Sequence, residues 1–296
     1  MQDYNIILLK SKHVRVISPF VLLVLGVIAM NKKMKLGIIL LLIVTVIIGA
    51  AGNIAVHLRN DKKGAYLSAA FNEGTPEAII KEYADSHNIS YSEYPEEIVK
   101  LFARNGETKD FVLSYPEEHK KKHEIDMSEY ESCETVPLFM QWDKRWGYIK
   151  YSGDAAGITG CGPVCLSMVA YYLTKDPDMS PDKIMKFATL HGYSTNGNGS
   201  KWTLISKGGE KLGLDVTELP LDEARMVNSL KAGNPIICVM GPGHFTTTGH
   251  FIVLTGYEDG KFTVNDPNSH KNSERTWAYD EIKDEIRNIW AIRKPQ

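Results

Sequence analysis

The sequence predicts an α+β protein: a helix carrying a cysteine packs on an antiparallel sheet carrying a histidine and an aspartate, and an N-terminal membrane helix precedes both. Three observations lead there. Residues 36–56 are uncharged and apolar, residues 161–173 repeat apolar side chains at helical spacing, and residues 250–265 read as two strands joined by a tight turn. The chain has 296 residues, enough for a membrane segment plus one domain of roughly 150–200 residues. Its 34 Lys+Arg and 36 Asp+Glu give a formal net charge of −2. That balance argues against a nucleic-acid binder held by a basic face. Hydrophobic residues at 43% and charged residues at 24% exclude a disordered chain. Four cysteines are too few for a disulfide scaffold at this length and leave room for a nucleophile.

The first element is Leu36–Val56, long enough at 1.5 Å per residue to cross a hydrocarbon core of about 30 Å. Lys32, Lys33 and Lys35 before it are expected to stay in the cytoplasm, which sends everything after Val56 outside. A shorter apolar stretch, Val16–Met30, contains Pro19 and is short for a span. The string from Met30, MNKKMKLGIILLLIVTVIIGAAG, reads as a complete signal peptide or signal anchor, which makes residues 1–29 an over-extended start. Cleavage after Ala51 and retention as an anchor both remain open. The apolar run continuing through Ile54 and Val56 favours the anchor. Residues 1–35 are therefore assigned as cytoplasmic or over-extended, and 36–56 as the anchor or signal.

Residues 61–132 read as a polar, helical stalk or leader. Thr75-Pro76-Glu77 is a helix start, with a cap, a first-turn proline and an acid. Pro95-Glu96-Glu97 opens a second helix, whose Ile98, Leu101 and Phe102 share a face and which Asn105-Gly106 ends. Phe111, Val112 and Tyr115 suggest a third, short helix. The run from Glu117 to Glu131, with Lys120, Lys121 and Lys122, reads as a solvated linker. No chemistry is identifiable in this segment, and a helical packing extension of the next domain is an equal description of it.

Residues 133–296 carry the chemistry. In Thr159-Gly160-Cys161-Gly162-Pro163, followed by Leu166, Val169, Ala170 and Leu173, the cysteine falls at a helix N-terminus and Pro163 in the first turn. Unpaired N–H groups there favour a thiolate, the reactive form of cysteine. The flanking glycines allow a tight turn and an accessible sulfur. The alternative for Cys161, and the favoured description of mid-helix Cys165, is a small buried hydrophobe.

His250 opens the strand His250-Phe251-Ile252-Val253-Leu254, Glu258-Asp259-Gly260 turns it, and Lys261–Asn265 returns. Asp266 shares strand parity with Phe262 and Val264, so it can reach the imidazole and fix its orientation; Asn265 points to the opposite face. A plain Asx-turn before Pro267 is the other description of Asp266. Gln141, upstream of the cysteine, can supply a side-chain N–H to an oxyanion hole, although a glutamine taken alone is a surface residue.

The order Gln141, Cys161, His250, Asp266 is the papain order of roles. Residues 136–290 closely resemble the stand-alone bacterial relatives of the double-glycine-leader cysteine peptidases, which have a papain-like fold. The resemblance rests on VPLFMQWDKRWGY, GITGCGPVCLSMV, LKAGNPIICVM, FTTTGHFIVLTGYEDGKFTVNDPNS and IRNIWAI. Upstream, YPEEIVKLFARNGETKDFVLSYPEEHK looks like the leader region these proteins carry. The resemblance implies Cys161 as nucleophile, His250 as general base, Asp266 as orienting acid and Gln141 as oxyanion donor. The best-known members are fused to an export transporter and cut leader peptides on the cytoplasmic side. No GxxxxGK[ST] motif occurs here, and the expected topology is opposite. The resemblance therefore carries the chemistry more firmly than the double-glycine substrate.

The expected activity is thiol-dependent hydrolysis of peptide bonds in an extracytoplasmic domain that is membrane-anchored or secreted, with a peptide or protein substrate and no nucleic-acid partner. The chemistry requires no metal and no organic cofactor, and no His/Cys/Asp cluster has zinc spacing. A cell-wall peptide amidase using the same triad and a non-catalytic binding module are the alternatives. His244 and the glycine-rich stretch Asn196–Trp202 are further candidates for lining a cleft, and Cys133 and Cys238 are candidates for pairing in an oxidising compartment.

Overall fold

A computed structural model describes residues 74–294, which belong to one compact unit, Asn72–Gln296. The expected membrane helix at 36–56, residues 1–35 and the start of the 61–132 segment lie outside the described residues. No helix among the described residues is long and apolar enough to cross a membrane.

The chain begins with two helices whose starts follow from their caps. In α1 (Pro76–Ser86), Thr75 is extended and its Oγ1 accepts the Ala78 N–H at 3.2 Å, with Pro76 and Glu77 in the first turn. In α2 (Glu96–Arg104), Ile98, Val99, Leu101 and Phe102 bury one face, and Asn105 ends the helix. Two helical turns, Lys109–Leu113 and Tyr115–Glu118, follow. Their apolar side chains form a core of their own that reaches Tyr148, Trp142 and Ile158 of the following domain. Phe111 is its pivot. The ring stacks on Tyr148 with centroids 4.3 Å apart, worth about 1 kcal/mol beyond the area buried. Gly147 and Gly157 make room for it, because a Cβ on either would lie 2.8 or 2.7 Å from the ring. The segment is thus packed onto the domain rather than held away from it.

The central helix α3 (Cys161–Thr174) is followed by α4 (Pro181–Leu190), and α5 (Glu223–Lys231) lies further along. The sheet comprises β1 (Asp215–Glu218), β2 (Ile236–Met240), β3 (His250–Glu258), β4 (Lys261–Asn265), β5 (Thr276–Trp277) and β6 (Ile286–Arg293). They pair antiparallel throughout, in the order β1-β6-β2-β3-β4-β5. The α+β expectation holds for the described residues.

Both faces of the sheet are covered. Ile237, Val239, Phe251 and Val253 face a core shared with α3, while Cys238, Ile252, Leu254 and Phe262 face one shared with Met226 and Leu230 of α5. That is why β2 is apolar at every position, with no alternation. The same burial departs from the one-faced reading of α3. Gly162 to Tyr171 are all buried, so Val164, Cys165 and Met168 fill the face that an amphipathic helix would give to water, while Leu173 is only partly covered.

Candidate active site

Cys161 is the first residue of α3, partly exposed at the floor of a cleft of about 650 Å³. The backbone N–H groups of Gly162 and Phe251 favour the charged form of its sulfur. The flanking glycines are required by close approach, not by unusual dihedrals. A Cβ at position 160 would lie 2.6 Å from the Ala156 carbonyl oxygen, and one at position 162 would lie 2.7 Å from Ser200 Oγ and 2.9 Å from Ser200 Cβ. Ser200 cannot yield freely, because its hydroxyl is 2.7 Å from that of Tyr151. Gly162→Ala gains about 1 kcal/mol of helix propensity and loses about 1–3 kcal/mol to overpacking. The balance is a net loss of up to about 2 kcal/mol, read as a lower midpoint in urea unfolding; a raised midpoint would contradict the contact.

His250 stands at the start of β3, where Met240↔His250 is the last pair of the β2–β3 ladder. It is buried, and its Nε2–H donates to Asp266 Oδ1 at 2.7 Å. The sulfur of Cys161 and the same ring each favour the other's charged form. Asp266 follows β4 directly and is 1% exposed, so its carboxylate needs a full set of partners. It has them: besides His250, Oδ1 accepts the Asn268 N–H at 2.9 Å and Oδ2 accepts Asn272 Nδ2–H at 2.8 Å. Phe262, Val264 and Asp266 are buried alternately with half-buried Thr263 and Asn265, so the period-2 expectation describes the strand. Asn265 turns the other way and donates to the carbonyls of Val136 and Pro137.

The charges reinforce one another. Burial pushes the Cys161 thiol up, but the hydrogen bond and charge of His250 and the two backbone N–H groups outweigh it, so its pKa is lowered overall. Burial pulls His250 down, but the charge and hydrogen bond of Asp266, with the contact to Cys161, outweigh it and leave the imidazole raised. Both shifts are in the direction of a thiolate beside an imidazolium. Cys165 and Cys238 are buried without such partners, and burial pushes both thiols up. All four cysteines are free, including the Cys133 and Cys238 considered for pairing.

Gln141 lies beside this group, 3% exposed. Its Nε2 donates to the Gly157 carbonyl at 2.8 Å, with Ile158 O at 3.4 Å, and its backbone N–H donates to Pro267 O at 2.7 Å. It therefore ties the turn before Cys161 to the loop after Asp266, and its amide faces those carbonyls, not the cleft. The reason is local: the Ala156–Thr159 helical turn ends with carbonyls that need donors.

His244 does not line the cleft; its Nδ1 and backbone N–H are both taken by the buried Glu285 carboxylate. The glycine-rich stretch does, through Gly197, Asn198, Gly199 and Ser200. Trp202, 47% exposed, adds an apolar edge. Sequence reasoning does not single out Asn272 or the cleft-lining Glu97 and Arg104 of α2. For Asn272, the polar run from Asn268 to Ser273 was the only available signal. A larger cavity of about 800 Å³ between the upstream helices and the domain shares Glu97, Asp154 and Ile158 with the cleft but holds no candidate nucleophile.

A family model described as Peptidase C39 like family matches residues 133–296. No curated protein matches the chain. Among solved structures, it is similar to the peptidase domain of Streptococcus ComA, described as a bifunctional ABC transporter involved in a quorum-sensing pathway. Identity is 20%, the match covers 54% of this chain and 99% of that one, and the TM-score is 0.38. It is also similar to a C39-like peptidase from Bacillus anthracis, at 16% identity over 54% of this chain and 96% of that one, with a TM-score of 0.34.

Proposed function

This chain belongs to the Peptidase C39-like family through residues 133–296, and we propose that it hydrolyses peptide bonds with Cys161 as nucleophile, His250 as general base and acid, and Asp266 as the carboxylate that orients the imidazole. One observation carries the reading: a single buried ring, His250, is hydrogen-bonded at 2.7 Å to Asp266 and interacts electrostatically with the partly exposed Cys161 sulfur.

The thiolate attacks the carbonyl carbon of a bound peptide, and the C=O electron pair moves onto oxygen. The Cys161 N–H at the start of α3 stabilises that oxyanion. Collapse of the intermediate breaks the C–N bond, and the amine leaves with the proton from His250. Water, deprotonated by the now neutral imidazole, hydrolyses the thioester and restores the thiolate–imidazolium pair. Asp266, held by Asn268 and Asn272, keeps Nε2–H in place throughout.

The lysines before Leu36 and the apolar run after them support an anchored, extracytoplasmic peptidase, or a secreted one if the run is cleaved. A peptide-library digest analysed by mass spectrometry tests the activity. Cleavage at a defined set of bonds, blocked by prior alkylation with iodoacetamide, is the expected result. Release of peptides from purified peptidoglycan with an untouched library would point to the wall amidase, and no turnover of either would favour a binding module.

A further inference from the structure

The stretch that closes α2 is fastened to the loop that holds Asp266, across a sequence separation of 163 residues. Asn105 Nδ2 donates to the Asn268 carbonyl at 2.5 Å. Glu107 accepts from the Ser269 hydroxyl at 2.8 Å and from the His270 N–H at 2.7 Å. The two side chains are set as a unit, because Asn105 Oδ1 accepts the Glu107 N–H at 3.0 Å and the buried Thr108 hydroxyl donates to the Asn105 carbonyl at 2.7 Å.

What this pair grips is what grips Asp266. Asn268, held through its carbonyl, donates its N–H to Oδ1 of Asp266. Ser269, held through its hydroxyl, accepts the N–H of Asn272 at 3.2 Å, and Asn272 donates to Oδ2. One oxygen of the carboxylate is therefore contacted by Asn268, which Asn105 holds, and the other by Asn272, which is linked to Glu107 through Ser269. Residues 268–272 bury no apolar side chain of their own; they are held by these hydrogen bonds together with Trp277 Nε1–H to the Asn272 carbonyl at 3.0 Å and Gln141 N–H to the Pro267 carbonyl at 2.7 Å, and the carboxylate must keep its place to within about 0.5 Å.

We propose that the helical segment upstream of the family's matched span is a built-in part of the active site, in which Asn105 and Glu107 are positioning residues that fix Asp266 against His250. The inference rests on the Cys161–His250–Asp266 reading and adds to it a requirement for residues outside 133–296. A removable leader has no such role: its loss would take away the hydrogen bonds that Asn105 and Glu107 make to residues 268–270.

The test is the pH dependence of Cys161 alkylation by iodoacetamide, followed by intact mass on the full chain, for wild type, Glu107→Ala, Glu107→Gln and Asp266→Asn. Thermal melts run in parallel. Alkylation reports the thiolate–imidazolium pair without any peptide substrate. Glu107→Ala is expected to move the acid limb to higher pH, in the same direction as Asp266→Asn, and to slow alkylation near neutrality by about tenfold. Glu107→Gln keeps one acceptor oxygen and should recover part of the loss. Being isosteric and only half-buried, it also carries the test if the alanine variant does not fold. A purely structural fastening would lower the melting temperature and leave the pH profile where it was. Wild-type profiles in both Glu107 variants, with a shifted Asp266→Asn profile, would overturn the proposal and leave the triad standing. A wild-type profile in Asp266→Asn would sink the triad and the proposal together.

Discussion

Replacing Cys161 by alanine is expected to abolish peptide hydrolysis, with kcat/KM falling on the order of 10⁴–10⁶-fold and the fold retained. The size follows from what is removed. The covalent route ends with the sulfur, and no other thiol among the described residues lines the cleft. Cys165 and Cys238 are 0% exposed, and burial holds both in the protonated, unreactive form. Truncation to alanine costs little stability, because the sulfur is partly exposed and its neighbours Gly160 and Gly162 remain. Progress curves with the best peptide from a library digest measure the loss; residual activity above about 1% of wild type would exclude Cys161 as nucleophile.

The second large effect is at Asp266. In Asp266→Asn an amide N–H must face either Asn272 Nδ2 or His250 Nε2, both of which donate to the carboxylate. The charge that raises His250 is also gone. A fall in kcat/KM of about 10²–10⁴-fold is expected. The pH profile gives a sharper signature. In the wild type, activity falls as pH drops through the lowered Cys161 value, where the thiolate is protonated. It falls again as pH rises through the raised His250 value, where no proton remains for the leaving amine. Between those limits the ion pair dominates. Without the aspartate, His250 titrates lower and stabilises the thiolate less, so the alkaline limb moves to lower pH and the acid limb to higher pH. A window of unchanged width in kcat/KM against pH would contradict the role of Asp266.

Much of the candidate site was legible because short-range geometry decides it. Gly-Cys-Gly-Pro before an apolar 3.6-period puts a cysteine at a helix start, and alternation along Lys261–Asn265 puts Asp266 on the buried side of its strand. The hairpin turn at Glu258-Asp259-Gly260 was readable for the same reason: Asp259 and Gly260 take left-handed dihedrals at φ 51° and 78°. Gln141 shows where that reasoning stops. Its residue type permits an oxyanion donor, but the direction of an amide is set by whichever carbonyl lies nearest, here Gly157. α3 shows a second limit, because burial on all sides depends on what the sheet and α4 bring to it. Asn105 and Glu107 show a third: two polar residues at a helix end match any solvated cap until the chain brings Asn268 and Ser269 to them.

From the amino acids alone came the α+β class, the helix start at Cys161, the strand start at His250 and the inward parity of Asp266. Each is a matter of backbone period and local dihedral preference, which operate over a few residues. Only the tertiary structure decided that the His250 imidazole meets the Asp266 carboxylate, that Gln141 spends its amide on the turn before the cysteine, and that α2 reaches the cleft. Those are contacts between segments far apart in the chain, and a hydrogen bond exists only when packing brings donor and acceptor within about 3 Å.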